Sequence, residues 1–269
     1  MVLFVIGSPT DNGWKLMTMH HMDLATLVED ALGPLASTSG SVLGVSTAAL
    51  APGRFYIMGL NPGGDPQTHG EWTIRKSISD VELGWSAHTH DCWQDHRGGT
   101  CEHLDENGRV KDPFLSRHQR NVLRAYDAIG ATPGEVVTTN AIFARSGSEA
   151  TLHAATGLTA WQWWEKCWPV HQRMIAEVRP EFIVTLGKGL GTSAFGFLMN
   201  KMDVKRNAIR ALGDNRALDG RTFSGTLPLV GGEEFATRVL GLPHPSYYCV
   251  GDRLREAIRA ELNSDFPTG

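Results

Sequence analysis

Long apolar runs are missing from this chain of 269 residues. None approaches the roughly 20 residues that cross a bilayer, which excludes a helical membrane protein and leaves no membrane partner expected. The MVLFVIGS run at the start is short, has no basic leader and gives way to polar residues. No signal peptide is expected there, and the expected location is the cytoplasm. Cysteine is scarce: Cys92, Cys101, Cys167 and Cys249 form no CxxC pair. In a chain of this size, reduced thiols are expected rather than a disulfide framework. No charge sign dominates, the formal net charge being −4. That mild acidity disfavours a general nucleic-acid-binding surface but permits a local basic face. Internal repeats and low-complexity tracts are absent, which excludes solenoids and fibrous classes.

What remains is ordinary globular composition, 41% hydrophobic and 20% charged. It predicts one large domain over residues 1–269, with a core of good size. Apolar positions at helical spacing predict helices over about 18–33, 113–129, 158–179, 190–202 and 252–262. The helix at 158–179 carries Trp161, Trp164, Trp168, Met174 and Ile175 near one face, and Pro180 ends it. Residues 36–53 read as a connector rich in small residues. Residues 64–112 read as an irregular excursion with short helices, of a length that is usually functional. Residues 203–235 are polar and glycine-rich and leave room for a hairpin. Four short apolar runs, RFYIM, EVVT, EFIVT and TRVLG, read as buried strands. Strands alternating with helices predict an α/β fold, a three-layer αβα sandwich around a mainly parallel four-stranded sheet.

Each strand runs into a motif: GLNPGG at Gly59–Gly64, TTNAIF at Thr138–Phe143, LGKGLG at Leu186–Gly191 and LPHPSYY at Leu242–Tyr248. Open parallel sheets bind ligands outside the carboxyl ends of their strands, so the four motifs should share one crevice. Asn61, restricted to extended backbone by Pro62, either caps a turn or holds a ligand. The glycines after it let backbone N–H groups approach a ligand closely. His244 leaves its strand abruptly. It is either satisfied by nearby backbone or donates to a developing anion. Asn140 interrupts an apolar run. Its amide either satisfies the sheet edge or reads a flat heterocycle with one donor and one acceptor.

Together, strand-GLNPGG, strand-TNAIF, strand-LGKG and strand-HPS resemble the uracil-DNA glycosylase superfamily. The resemblance runs from about Arg54 to Arg255 and is most specific at GLNPG and HPS. The first motif is most similar to the mismatch-specific and single-strand-selective branches, which also carry asparagine where the most studied branch has aspartate. The resemblance implies a monofunctional DNA glycosylase of base excision repair, a hydrolase removing uracil or a related deaminated base after base flipping. Asn61 would hold the attacking water through its amide oxygen, and the rate would be modest because an amide cannot take the proton. His244 would stabilise the leaving base, and Asn140 would select uracil over cytosine by donor–acceptor polarity. Gly59, Leu60 and Gly63 would complete the base pocket. Gly63 stands where the aspartate branch has a bulky tyrosine, which implies a looser pocket. Phe143 or Trp72 would stack on the base.

The DNA partner would meet Gly64, Lys188, Ser246, Tyr247, Tyr248 and Arg253, with Tyr248 the wedge by offset and Lys188 and Arg253 the first phosphate contacts. Tyr247 and Tyr248 serve equally well as packing residues. Lys201, Lys205, Arg206, Arg210, Arg216 and Arg221 form a basic run that reads as a solvated surface. His88, His90, Cys92, His96, Cys101 and His103 include zinc-ligand types, but their spacing matches no standard finger. Some branches hold an iron–sulfur cluster on four cysteines placed differently from these. No metal, cluster or other cofactor is therefore expected, and the protein is expected to be a monomer. Two rival readings stay open: a catalytically weak or inactive nucleic-acid-binding member of the same fold, and a hydrolase of free nucleosides or nucleotides.

Overall fold

A computed structural model describes residues 23–78, 84–93, 103–213 and 219–264. The start of the first expected helix, His96, Cys101 and Arg216 lie outside the described residues. Six strands form one mixed sheet: β1 (Phe55–Gly59), β2 (Val137–Asn140), β3 (Phe182–Leu186), β4 (Arg210–Leu212), β5 (Gly220–Pro228) and β6 (Glu234–Leu242). Their order is β2-β1-β3-β6-β5-β4. The first three neighbour pairs run parallel, and β5 pairs antiparallel with both β6 and β4. The expected four-stranded sheet is thus corrected to six. β4 and β5 form the hairpin for which residues 203–235 leave room, and the Gly- and Thr-rich β5 also pairs along all of the following β6, which its own composition does not announce.

Seven α-helices accompany the sheet among the described residues: α1 (Leu24–Leu32), α2 (Ala87–His90), α3 (Arg117–Ile129), α4 (Glu149–Thr156), α5 (Ala160–Val178), α6 (Ala194–Lys201) and α7 (Asp252–Leu262). The parallel strands are buried on both faces, which is why they read as continuous apolar runs. Tyr56, Met58, Ile183 and Val239 face one core, with α1, α5 and α6. Phe55, Ile57, Phe182, Val184 and Leu240 alternate to the other core, with α3 and α7. No helix among the described residues is long and apolar enough to cross a membrane. In α5, Trp164 and Trp168 are buried as its spacing predicts, while Trp161 is 36% exposed and packs edge-on against Phe197.

One thiol expectation fails. Cys92 is disulfide-bonded, whereas Cys167 and Cys249 are free. A covalent closure restricts the unfolded chain. Spacing did not reveal this, because a disulfide is set by Cα proximity in space.

Candidate functional site

The connection leaving β1 crosses through α3 on one face. The connection leaving β3 crosses through α6 on the opposite face. Connections that part in this way open a crevice at the carboxyl ends of the two neighbouring strands. The four motifs follow the four parallel strands, so the topology brings all of them to this edge.

GLNPGG and TTNAIF are stitched together. Ala141 N–H donates to the Gly59 carbonyl, Ile142 to Leu60 and Ser146 to Pro62, at 2.8–3.0 Å. Arg145 Nη1 donates to the Gly63 carbonyl at 2.5 Å. Gly59 lies opposite Asn140 in register, and a Cβ there would stand 2.4 Å from Asn140 Oδ1. The glycine is therefore required by the Asn140 side chain and not by backbone strain. That side chain is half-buried and makes no hydrogen bond to the described protein. Beneath it, buried His171 bridges the Tyr56 hydroxyl (2.9 Å) and the Ala141 carbonyl (3.2 Å), fixing the turn. Burial lowers the pKa of His171 to about 4, against the hydrogen bonds that raise it.

Asn61 Nδ2 donates to the Pro62 carbonyl (2.9 Å), the Ser146 carbonyl (2.8 Å) and Ser146 Oγ (3.1 Å). Both main-chain partners can only accept, so this place takes an amide NH2 and not a carboxylate. With Nδ2 engaged, Oδ1 is left as an open acceptor, with no donor to it among the described residues.

His244 follows β6 and leans across the end of β3. Its Cδ2 lies 3.8 Å from where a Cβ on Gly187 would stand. Ser246 N–H donates to His244 Nδ1 at 3.2 Å. In the neutral ring the proton then sits on Nε2, which is free to donate. The residue is exposed, yet the groups crowded around its ring desolvate it enough to lower the pKa, favouring the neutral form. Its neighbours are rings: His118 at 6.1 Å edge-on and Tyr247 at 5.5 Å. Behind His118 lie Trp93 at 5.2 Å and His88 at 6.5 Å. Burial, then the neighbouring histidine, lowers His118 to about 4 and His88 to about 3. Asp91 stands on the same wall. The residue is open to solvent, yet crowding around its carboxyl raises the pKa to about 6, partly countered by Arg145.

The remaining expected residues fall unevenly. A Cβ on Gly63 would meet nothing within 4 Å, so that side of the turn is open. Gly64 has φ +102 and passes close to His69 and Arg145, a conformation that favours glycine. Leu60 is half-buried against the core of α1, α5 and α6. Phe143 corrects an expectation: it is fully buried, with its ring 5.0 Å from His171, and offers no face to a ligand. The other aromatic candidate, Trp72, is 62% exposed. The Lys188 ammonium donates to the Asp219 carbonyl, which limits its reach toward a phosphate. Arg253 is exposed at the start of α7 and forms no ion pair among the described residues. Tyr247 is 68% and Tyr248 41% exposed, so Tyr247 projects further than the residue favoured by offset. Among the described residues, no group of three or more His, Cys, Asp or Glu is arranged to hold a metal.

Sequence reasoning missed Ser146, Asp91 and three residues of α3: Arg117, His118 and Asn121. The Ser116–Gln119 capping box that starts α3 is legible in the sequence and places Arg117 and His118 in its first turn. The loop they face is not legible. A separate depression of about 400 Å³ lies at the opposite, amino edge of the sheet, lined by Pro52, Phe55, Val136 and Val137 with Arg54 and Glu135. Arg54 is already engaged by Glu181 and the Leu262 carbonyl, so this depression lacks the convergent free polar groups of the crevice.

No family model matches the chain, and no curated protein matches it.

Proposed function

We propose that this protein is a monofunctional DNA glycosylase that hydrolyses the N-glycosidic bond of uracil, or of a related deaminated base, in DNA. One observation carries the reading: at a single sheet edge, three polar side chains each keep free the end that the chemistry requires. Asn61 keeps Oδ1, an acceptor that can hold a water. Asn140 keeps a whole amide, a donor and an acceptor side by side for the N3–H and O4 edge of uracil. His244 keeps Nε2–H, a donor for the base O2 as negative charge grows there. Cleavage passes through a cationic sugar and an anionic base, and a fixed donor aimed at the anion stabilises the transition state more than the ground state. The open side at Gly63 suits bases larger than uracil. In this reading the exposed pair Tyr247 and Tyr248 enters the base stack, and Arg253 meets phosphate.

A hydrolase of free nucleotides would need a cation for the phosphate, and the Lys188 ammonium beside the crevice is engaged by the Asp219 carbonyl. The test uses oligonucleotides carrying uracil, hypoxanthine or xanthine, single-stranded and in duplex. Abasic sites should form, and strand breaks should appear only after alkali, because no lysine is assigned to attack the sugar. Absence of base release from every substrate would remove the enzymatic reading.

Gly59→Ala gives a narrower check. The new Cβ displaces the Asn140 side chain, a flexible end that can swing away without disturbing the sheet. Catalytic efficiency on uracil DNA should fall about 10- to 100-fold, since the base edge loses its partner. Thermal unfolding should stay within about 4 °C of the parent. An unchanged efficiency would take Asn140 out of base recognition.

A further inference from the structure

We propose that the start of α3 is a clamp that sets the tautomer and aim of His244, with His118 as its central positioning residue; the catalytic part of this rests on the glycosylase reading above. Three side chains of one helix hold three successive residues of the loop after His244. Asn121 Nδ2 donates to the Pro245 carbonyl at 2.7 Å. His118 Nδ1 and Ser246 Oγ share a hydrogen bond of 3.0 Å. Arg117 Nη2 donates to the Tyr247 carbonyl at 3.0 Å. Positions 117, 118 and 121 lie one turn apart or adjacent, so they share a side of the helix.

The loop needs this support. Its own bonds are the Tyr247 and Tyr248 N–H groups to the His244 carbonyl and the Ser246 N–H to His244 Nδ1. Ser246, Tyr247 and Tyr248 are exposed, so little packing holds them. The bond that assigns the proton of His244 to Nε2 is 3.2 Å long and depends on where Ser246 stands. A free imidazole exchanges between its two tautomers, and only one has a donor pointing away from the loop. Anchoring Ser246 from outside makes that tautomer persistent.

The helix is a firm anchor. The capping box starts it, Gly130 in left-handed conformation ends it, and Gln119 Nε2 ties it to the Asp91 carbonyl at 2.7 Å. Val122, Ala125, Tyr126 and Ile129 bury its other side in the core. His118 itself is braced by Trp93, and its neutral ring adds no second positive charge beside His244.

Two readouts test the clamp, in full-length protein. The first is the tautomer of His244, read from side-chain ¹⁵N chemical shifts, which needs no activity. The second is kcat and KM on a uracil oligonucleotide. The parent should show His244 protonated at Nε2. In His118→Phe, which keeps a ring beside Trp93, the two nitrogen shifts should move toward each other as the tautomers mix. Its kcat should fall about tenfold, the worth of one hydrogen bond, with KM within about twofold. His118→Asn, which puts an amide nitrogen where Nδ1 stood, should recover both readouts. Ser246→Ala removes the same bond from the exposed side. It should reproduce the loss, and the double variant should be no worse than either single one. The Ser246 variant carries the test should His118→Phe fail to fold. An unshifted His244 tautomer in both variants overturns the clamp whatever the activity. A parent that releases no base while its tautomer responds as stated overturns the glycosylase reading and leaves the clamp standing.

Discussion

Replacing His244 with alanine is expected to slow uracil release by about two to three orders of magnitude, the usual consequence of removing one preorganised donor from a developing anion. The effect should be large because the donor is prepared in advance. Ser246 occupies Nδ1, and partial desolvation of the ring favours its neutral form. A neutral imidazole donates without first gaining a proton from solvent, so activity should not require acid. The loss should fall on the single-turnover rate and not on binding. The groups proposed to meet DNA, Tyr247, Tyr248 and Arg253, are untouched by the change. Single-turnover cleavage and equilibrium binding of the same oligonucleotide separate the two effects. A rate within threefold of the parent would remove His244 from the chemistry.

Acidification is expected to destabilise the fold steeply between about pH 6.5 and pH 4. His88, His118 and His171 are held neutral by burial, with pKa values of about 3, 4 and 4. In the unfolded chain each would titrate near 6.5. Above that pH both states are neutral and full stability is present. Below it the unfolded chain binds protons that the folded chain refuses, so stability falls until the folded values are reached. Each such histidine contributes a slope of about 1.4 kcal/mol per pH unit inside its window. Asp91 runs the other way, since its folded pKa is raised to about 6 and protonation favours the fold. Its exposure to solvent makes that offset smaller than one histidine's share. The net slope near pH 5 is then on the order of 3 kcal/mol per unit. Urea denaturation at half-unit steps from pH 7 to pH 4 reads it directly. His171→Gln, which cannot ionise, should flatten the slope by nearly one half whatever its effect on the stability at pH 7. A midpoint that stays level from pH 6.5 to pH 4.5 would contradict the buried-neutral assignment.

Local patterns carried a good part of the architecture. The last helix occupies Asp252–Leu262 as its spacing predicts, and α5 fills the predicted 158–179 within its Thr159–Gln162 capping box. The four apolar runs are four parallel strands, because strands buried on both faces leave an uninterrupted apolar signature. The hairpin for which residues 203–235 leave room is present as β4 and β5, but the pairing of β5 along all of β6 was not legible, and the disulfide at Cys92 depends on proximity that spacing does not encode. Phe143 was misplaced for a related reason: adjacency to a functional motif says nothing about which side of the sheet a ring enters, and this one enters the core.

The same division runs through the site. The sequence by itself determined that Asn61, Asn140 and His244 each end a buried strand, since hydrophobic runs broken by Asn-Pro-Gly or His-Pro are local facts. It could not say what those side chains hold or leave free. That was decided by Ser146, 85 residues from Asn61, and by His118, 128 residues from Ser246. A local propensity acts over a turn or two of chain. The orientation of an amide or an imidazole depends on which partner the topology delivers to it, and that follows only from the strand order and from the helix faces packed on the sheet.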